Sequence, residues 1–375
     1  MKLLITGANG FVGRNLRLHL AERSDLDVVC MTRDDPIESL DEKLSAVDCV
    51  IHLAGVNRPE DPAEFEAGNH RLTGALAAAL RRRVSAGHAP VPLAFASSIQ
   101  AALNNPYGAS KRAAEQVLLE AHRDGSIIAH IFQLPNVFGK WCRPNYNSAI
   151  GTFCHNIARD LPITVNDPAA ALRLVYIDDV VAALVAVADG AVPATGADGF
   201  AVVSPEYHST VGEVADMLRA FRASRETLVT EAVGRGLARA LYATYVSYLP
   251  CEGFAYDVPM HGDPRGVFVE MLKTHDSGQF SYFTAHPGIT RGGHYHHSKT
   301  EKFLVIKGRA RFCFRQMMTG EEYSLDTSGD RAEIVETVPG WTHDITNIGD
   351  DEMVVMLWAN EIFDRENPDT YACPL

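Results

Sequence analysis

The chain has 375 residues, 46% of them hydrophobic, and a formal net charge of −13. That length accommodates two ordinary domains, each with its own core, and the negative charge excludes a general binder of nucleic acid or anionic membrane, which needs a broad basic surface. Any phosphate must be met by a local site. The seven cysteines are scattered and never spaced CxxC, which excludes a disulfide framework and a cysteine zinc site and leaves reduced core residues. Apolar runs are too short or too interrupted by charge for a membrane span, so a cytoplasmic protein is expected.

From Met1 to about Ser247, short apolar runs (KLLITG, DVVCMTR, AVDCVIHLAG, VPLAFASS, IIAHIFQL) alternate with helical stretches such as RLTGALAAALRRRV and RAAEQVLLEAHR. This alternation predicts an α/β Rossmann-type parallel sheet with crossover helices. The first run ends in TGANGFVG, where Gly7, Gly10 and Gly13 allow a tight turn and close approach to a pyrophosphate, and the next helix begins there. Gly7, Asn9, Gly10, Phe11, Val12 and Gly13 are therefore expected to bind a dinucleotide. The second strand is expected to end at Arg33, where a guanidinium suits the 2′-phosphate of NADP; the alternative is a surface arginine paired with Asp34 or Asp35.

Further on, Tyr107 and Lys111 in PYGASK share a helix face, so the ammonium is expected to lower the phenol below its usual ~10 and to reach a cofactor ribose. Ser98, at a strand end, is placed to hydrogen-bond the same carbonyl oxygen that Tyr107 protonates. The competing reading is an ordinary solvated YxxxK face.

The glycine loop, HLAG (His52 to Gly55), Asn69, Ser98, Tyr107, Lys111 and VYIDDVV together resemble the extended short-chain dehydrogenases/reductases that act on nucleotide sugars, over about the first 245 residues. The resemblance implies that Leu53, Ala54, Gly55, Asn69 and Leu134 join Tyr107 and Lys111 around the cofactor. Dehydratases of that family carry an acidic pair after the catalytic hydroxyl; Ile99 and Gln100 stand there instead, which argues against dehydration. The stretch LPNVFGKWCRPNYNS lies where such enzymes build the sugar-nucleotide pocket, so Asn136, Lys140, Arg143 and Asn145 are expected to bind substrate, with buried ion pairing as the alternative.

After YLPCEGFAYDVPMHGDPRG the texture changes to short strand-like segments (GVFVEML, GQFSYFTA, EKFLVIKG, RARFCFR, EIVETV, EMVVMLWA), and an all-β barrel or jelly roll is expected. The domains are accordingly drawn at 1–247 and 248–375. In GGHYHHSKTEKFLVIKG, strand alternation puts His294 and His296 on one face, Glu301 and Gly308 follow, and PGWTHDITN supplies His343. Both motifs resemble those of cupins, HxH(x)4E(x)6G and PG(x)2H(x)3N. Three imidazoles and a carboxylate suit Zn, Fe, Mn, Ni or Co, with zinc the expected ion, one per chain. The competing reading is an apo barrel with hydrogen-bonded histidines, and His297 is expected to face away.

A reductase joined to a C-terminal cupin resembles, along the whole chain, the bifunctional capsular or O-antigen enzymes of the UDP-N-acetyl-L-fucosamine pathway; NEIFDRENPDTY near the end adds to the match. The resemblance implies a UDP-activated 4-keto-6-deoxy amino sugar as substrate. The cupin would epimerise C3 and the reductase would reduce the C4 ketone with NADPH, giving UDP-2-acetamido-2,6-dideoxy-L-talose, in a homodimer. Lys302, Tyr295, His261 and Tyr282 stand as possible C3 bases. The rival readings are a 4-epimerase with retained cofactor and a non-catalytic dimerisation cupin.

Overall fold

Leu3, Leu4 and Ile5 of strand β1 (Lys2–Thr6) are fully buried, as befits an interior strand of a parallel sheet covered by helices on both faces. The computed structural model describes residues 1–61, 63–263, 266–269, 272–274, 278–361 and 366–375, with the side chains of 260–263, 266–269, 273–274 and 279–281 outside that description. Strands β2 (Asp27–Met31), β3 (Cys49–His52), β4 (Val91–Ser98) and β5 (Ile127–Leu134) complete an all-parallel sheet in the order β2-β1-β3-β4-β5. The chain moves outward from β1 to β2 and then returns across β1 to form β3. The connections leaving β1 and β3 therefore diverge, and the carboxyl ends of these two strands bound the crevice where doubly wound sheets bind ligands. Helices expected from sequence form at Leu72–Ser85 and Pro106–Arg123; Leu76, Leu80 and Leu118 pack with Val50, Leu93 and Phe95 in the core.

The second strand is shorter than expected. It stops at Met31, because the Asp35 carboxylate accepts the Thr32 N–H at 2.7 Å and the Thr32 hydroxyl at 2.9 Å and turns the chain. Arg33 lies two residues beyond the strand end.

From Ala255 onward the described residues form two five-stranded antiparallel sheets. One runs Ala255–Asp257, Glu333–Glu336, Glu301–Lys307, Met353–Ala359, Gln279–Ala285; the other runs Glu322–Ser328, Arg309–Gln316, Trp341–Asn347, Thr290–Tyr295, Tyr371–Ala372. Phe303 of the first and Phe312 of the second meet with ring centroids 5.6 Å apart, in an interior completed by buried Phe314, Ile345 and Val355. This is the expected jelly-roll arrangement of facing sheets.

By compactness the chain falls into two units, Met1–Val137 with Arg173–Glu206, and Phe138–Leu172 with Tyr207–Leu375. Segments 138–172 and 207–247 thus group with the β-sheets, and the compact units do not coincide with the change of texture near Ser247. Chemistry inside the second unit accounts for part of this. The buried Glu336 carboxylate pairs with Arg225 of the helix Val211–Thr227 and with Lys302, and the Tyr242 hydroxyl lies 3.4 Å away. Removing the carboxylate would strand two buried cations. Among the described residues no helix is long and apolar enough to cross a membrane.

Candidate active site and metal centre

The turn after β1 is built for close approach. Gly7 has φ +69°, and a Cβ there would lie 2.6 Å from the Ala54 nitrogen. Gly13 is equally constrained, since a Cβ would collide with the Gly7 carbonyl oxygen. Gly10 is the N-cap of the helix Phe11–Ala21, which has no side-chain cap and no acid in its first turn. Its amino end therefore offers bare N–H groups and partial positive charge to an anion. Asn9 accepts a hydrogen bond from Arg17 at 3.0 Å. Arg33 is exposed and its guanidinium lies 3.6 Å from Glu64. Neither neighbouring aspartate is its ion partner: Asp35 is 3.0 Å from Lys43.

Leu53 and Ala54 tie the exit of β3 to β1, their N–H groups donating to the carbonyl and hydroxyl of Thr6 at 3.1 and 3.2 Å. His52, fully buried between Thr6 at 2.6 Å and Thr73 at 2.9 Å, is driven down to about 3 by burial and by the charge of Lys111, so it is a neutral structural imidazole. Asn69 brackets the same loop: its carboxamide oxygen accepts the Val56 N–H at 2.8 Å, and its amide donates to the Val56 carbonyl and the Ser110 hydroxyl. A Cβ on Gly55 would sit 2.9 Å from that oxygen and 3.3 Å from the Lys111 ammonium. Gly55, Asn69 and Lys111 therefore meet at one point of the crevice.

Tyr107 enters this point from the helix Pro106–Arg123, whose start is fixed by Pro106 and by Asn105, which caps the Gly108 N–H at 2.7 Å. Gly108 lets that start press against the turn Ile99–Ala102; a Cβ would lie 2.6 Å from the Leu103 carbonyl oxygen. The Ser98 hydroxyl, at the end of β4 beside Leu134 of β5, lies near enough to the Tyr107 phenol to favour its ionised form. Burial raises the phenol above its usual value, and Ser98 only partly offsets this. This corrects the expectation that Lys111 lowers it. Lys111 itself is buried, donates to the Ala96 carbonyl at 2.9 Å, lies 4.8 Å over the Phe95 ring, and is pushed by burial down to about 8 against the support of Glu115. It is not a solvated helix face.

The histidines lie in the second unit. Each of His294, His296, Glu301 and His343 offers one ligand atom, and these atoms fall within 4.8 Å of one another. His294 pairs directly with His343 across the ladder. A bulge makes this possible: Gly292 (φ +100°) opposes Asp344, Gly293 (φ +73°) is left over, and His294 then opposes His343. His296 lies one residue past the strand, and the chain then crosses to the other sheet rather than turning in a hairpin, so that Glu301 arrives with its carboxylate 3.1 Å from His296 Nε2 and 3.5 Å from His343 Nε2. Gly340, φ +80°, donates its N–H to the His296 carbonyl at 3.0 Å and joins the two motifs.

Burial, then the neighbouring imidazoles, hold His294 down at about 4; burial also lowers His343. Burial would raise Glu301, but His296 and His343 hold it well below the carboxylate range. The His343 ring is buried, with Nδ1 unpartnered among the described residues and Nε2 facing the Glu301 carboxylate at 3.5 Å. Three imidazoles around a carboxylate held in its ionised form make a donor set that fits a divalent ion.

Other expectations are redirected. Lys302 is no free base: burial alone would lower its ammonium, but its ion partner Glu336 holds it well above the usual lysine range. Tyr295 packs against Tyr371 and, edge-on, against His297, and His297 is buried there, facing away from the cluster as expected. Tyr282 is exposed and the side chain of His261 lies outside the described residues. Asn136, in the first unit, donates to the Arg173 carbonyl at 3.1 Å. In the second unit Lys140 is buried, Arg143 stacks on Tyr146 at 4.9 Å, and Asn145 adopts φ +53° with its N–H on Thr152.

Residues 3–197 match the NAD dependent epimerase/dehydratase family and residues 261–371 match the polysaccharide biosynthesis C-terminal domain. The chain belongs to the NAD dependent epimerase/dehydratase family. This family member is 62% identical, over 373 residues, to the UDP-2-acetamido-2,6-beta-L-arabino-hexul-4-ose reductase of Pseudomonas aeruginosa, covering 100% of this chain and 98% of that protein. It is 41% identical to the capsular polysaccharide assembling protein CapF of Staphylococcus aureus, with a TM-score of 0.66 and full coverage of both chains. A UDP-glucose 4-epimerase of Thermotoga maritima, 19% identical, covers 60% of this chain and 83% of its own at a TM-score of 0.51, which shows a shared fold. Membership of the epimerase/dehydratase family brings a nicotinamide cofactor, and the glycine turn with its uncapped helix fits the pyrophosphate of one.

Sequence reasoning passed over several residues that build these sites. Asn105 was legible as the cap before a Pro at the first helical position. Glu115, eight residues after Tyr107 on the same helix face, takes a short hydrogen bond from Ser97 and two from Gln133, tying the helix to β4 and β5. Asp369 lies in NEIFDRENPDTY, a stretch that stood out only through the resemblance, with nothing local to show its role.

Proposed function

We propose that the chain is a bifunctional nucleotide-sugar enzyme of the cytoplasm, acting as a homodimer. Residues 248–375 epimerise C3 of a UDP-2-acetamido-2,6-dideoxy-4-hexulose, and residues 1–247 then reduce the C4 ketone with NADPH to UDP-2-acetamido-2,6-dideoxy-L-talose. The observation that carries this reading is the presence in one chain of two separate constellations, Ser98–Tyr107–Lys111 in one compact unit and His294–His296–Glu301–His343 in the other.

Bound NADPH supplies the hydride for C4. Tyr107 supplies the proton to the ketone oxygen, a role for which burial suits it by keeping the phenol protonated at neutral pH. Ser98 steadies the same oxygen, and Lys111 steadies the cofactor ribose and the phenol. Gly7, Asn9, Gly10, Phe11, Val12 and Gly13 hold the pyrophosphate, with Leu53, Ala54, Gly55, Asn69 and Leu134 around the rest of the cofactor. Arg33 takes the 2′-phosphate, exchanging Glu64 for a stronger anion. Asn136, Lys140, Arg143 and Asn145 bind the sugar nucleotide. A zinc ion held by His294, His296, Glu301 and His343 supplies Lewis acidity, and the C3 proton is acidic because it sits beside the C4 ketone.

The test is proton NMR of the UDP-4-keto sugar incubated with the protein in D₂O. Without NADPH the C3 proton should exchange for deuterium; with NADPH the C4 ketone should disappear as the cofactor is consumed. Reduction without any C3 exchange would remove the epimerase half of the proposal, and turnover with no net NADPH consumption would favour a 4-epimerase.

A further inference from the structure

We infer that Asp369, from the carboxyl-terminal tail, is a positioning residue that clasps the turn His296–Lys299 in the conformation that presents His296 to the ion. The inference rests on the reading of the histidine cluster as a metal centre.

One residue satisfies most of that turn. The Asp369 carboxylate accepts the N–H of His297 at 2.9 Å, of Ser298 at 2.9 Å and of Lys299 at 2.6 Å, together with the Ser298 hydroxyl at 3.0 Å. Its own carbonyl oxygen lies 2.6 Å from His296 Nδ1. A carbonyl can only accept, so Nδ1 donates to it, which fixes the ring with Nε2, the nitrogen 3.1 Å from Glu301, turned toward the cluster. Asp369 reaches the turn with both groups because its backbone is left-handed, φ +38°. The tail is fixed in turn by the Lys299 ammonium on the Pro368 carbonyl at 2.8 Å. Beyond it, Tyr371–Ala372 pairs with Tyr295 and His294, and the Tyr371 ring lies 4.9 Å from His297.

The turn lies between two strands in different sheets, so these N–H groups have no ladder to pair with. Without the carboxylate, three buried donors lose their acceptor, which favours another conformation of the turn. The ligand most exposed to that change is His296, whose ring is oriented from the same residue. Residues that orient a metal-binding histidine typically contribute about 10–100-fold in affinity.

The experiment uses the full chain, stripped of metal, in wild-type, Asp369→Ala and Asp369→Asn forms. Zinc affinity is measured against a chromophoric chelator, the d–d absorption of added cobalt(II) reports ligand geometry, and binding of the nicotinamide cofactor serves as the control for folding. The expected result is zinc binding weaker by about 10–100-fold in Asp369→Ala, an intermediate loss in Asp369→Asn, which keeps one acceptor oxygen, a changed cobalt spectrum in both, and unchanged cofactor binding. If Asp369→Ala does not fold, Asp369→Asn decides. Wild-type zinc affinity and an unaltered cobalt spectrum in a folded variant overturn the clasp alone. Failure of the wild-type protein to bind either ion overturns the metal-centre reading and the clasp with it.

Discussion

Ser98, Tyr107 and Lys111 come from one strand end and the helix that follows it, whereas His294, His296, Glu301 and His343 are gathered from three strands in two sheets. In the first group a capped helix start and one glycine set the geometry, and burial tunes the acids: Tyr107 upward, Lys111 downward. In the second the geometry depends on a bulge, on a crossing between sheets and on a residue from the far end of the chain. Local assembly makes a site that tolerates distant change, and long-range assembly makes one that responds to it.

The sharpest way to break this contrast is Tyr107→Phe. It should cut NADPH oxidation by about 10²–10⁴-fold, yet leave C3 exchange with D₂O intact, since enolisation uses no nicotinamide. A folded, metal-loaded variant that exchanges no deuterium at C3 would detach epimerisation from the β-sheet unit. The converse change, His343→Ala or Glu301→Ala, should reduce the metal content from about one divalent ion per chain to near none by elemental analysis, with cofactor binding unchanged. Full occupancy in both variants would show that these side chains are not ligands.

Arg33→Ala should weaken NADPH much more than NADH, by about 1.5–3 kcal/mol for one charge-assisted contact; equal losses for the two cofactors in fluorescence titrations would assign Arg33 to Glu64 alone. The smallest effect is on stability. Because the folded state lowers Lys111 to about 8, the unfolded chain holds that proton more tightly, and the residue costs stability at pH 7, less as pH rises toward its free value. Lys111→Met should therefore raise the melting free energy by about 1–2 kcal/mol near pH 7, with the gain shrinking by pH 10 and reduction lost. A gain independent of pH would point to packing instead.

The parallel sheet, the facing sheets and every proposed metal ligand were legible because apolar period and motif spacing are properties of neighbouring residues. The sense of the Tyr107 shift was not, since it depends on how deeply the phenol is enclosed, which a YxxxK spacing does not encode. Lys302 looked available as a base until Glu336 and Arg225 arrived beside it from other elements. The contacts of Asp369 were hidden for the same reason, its partners lying about seventy positions away.

Gly292 and Gly293 carry no functional group, yet they select between two hydrogen-bonding patterns that differ by one step. In the uninterrupted pattern Gly293 would oppose His343 and His294 would oppose Thr342, and a slip of one residue turns a side chain to the other surface of its sheet. A protein with both histidine motifs letter-perfect but with β-branched residues at 292 and 293 should thus point His294 at the wrong surface and hold no ion. Motif searches that score only the ligating letters would pass such a chain as a metalloenzyme, and the two glycines ahead of the first histidine are what tell the two apart.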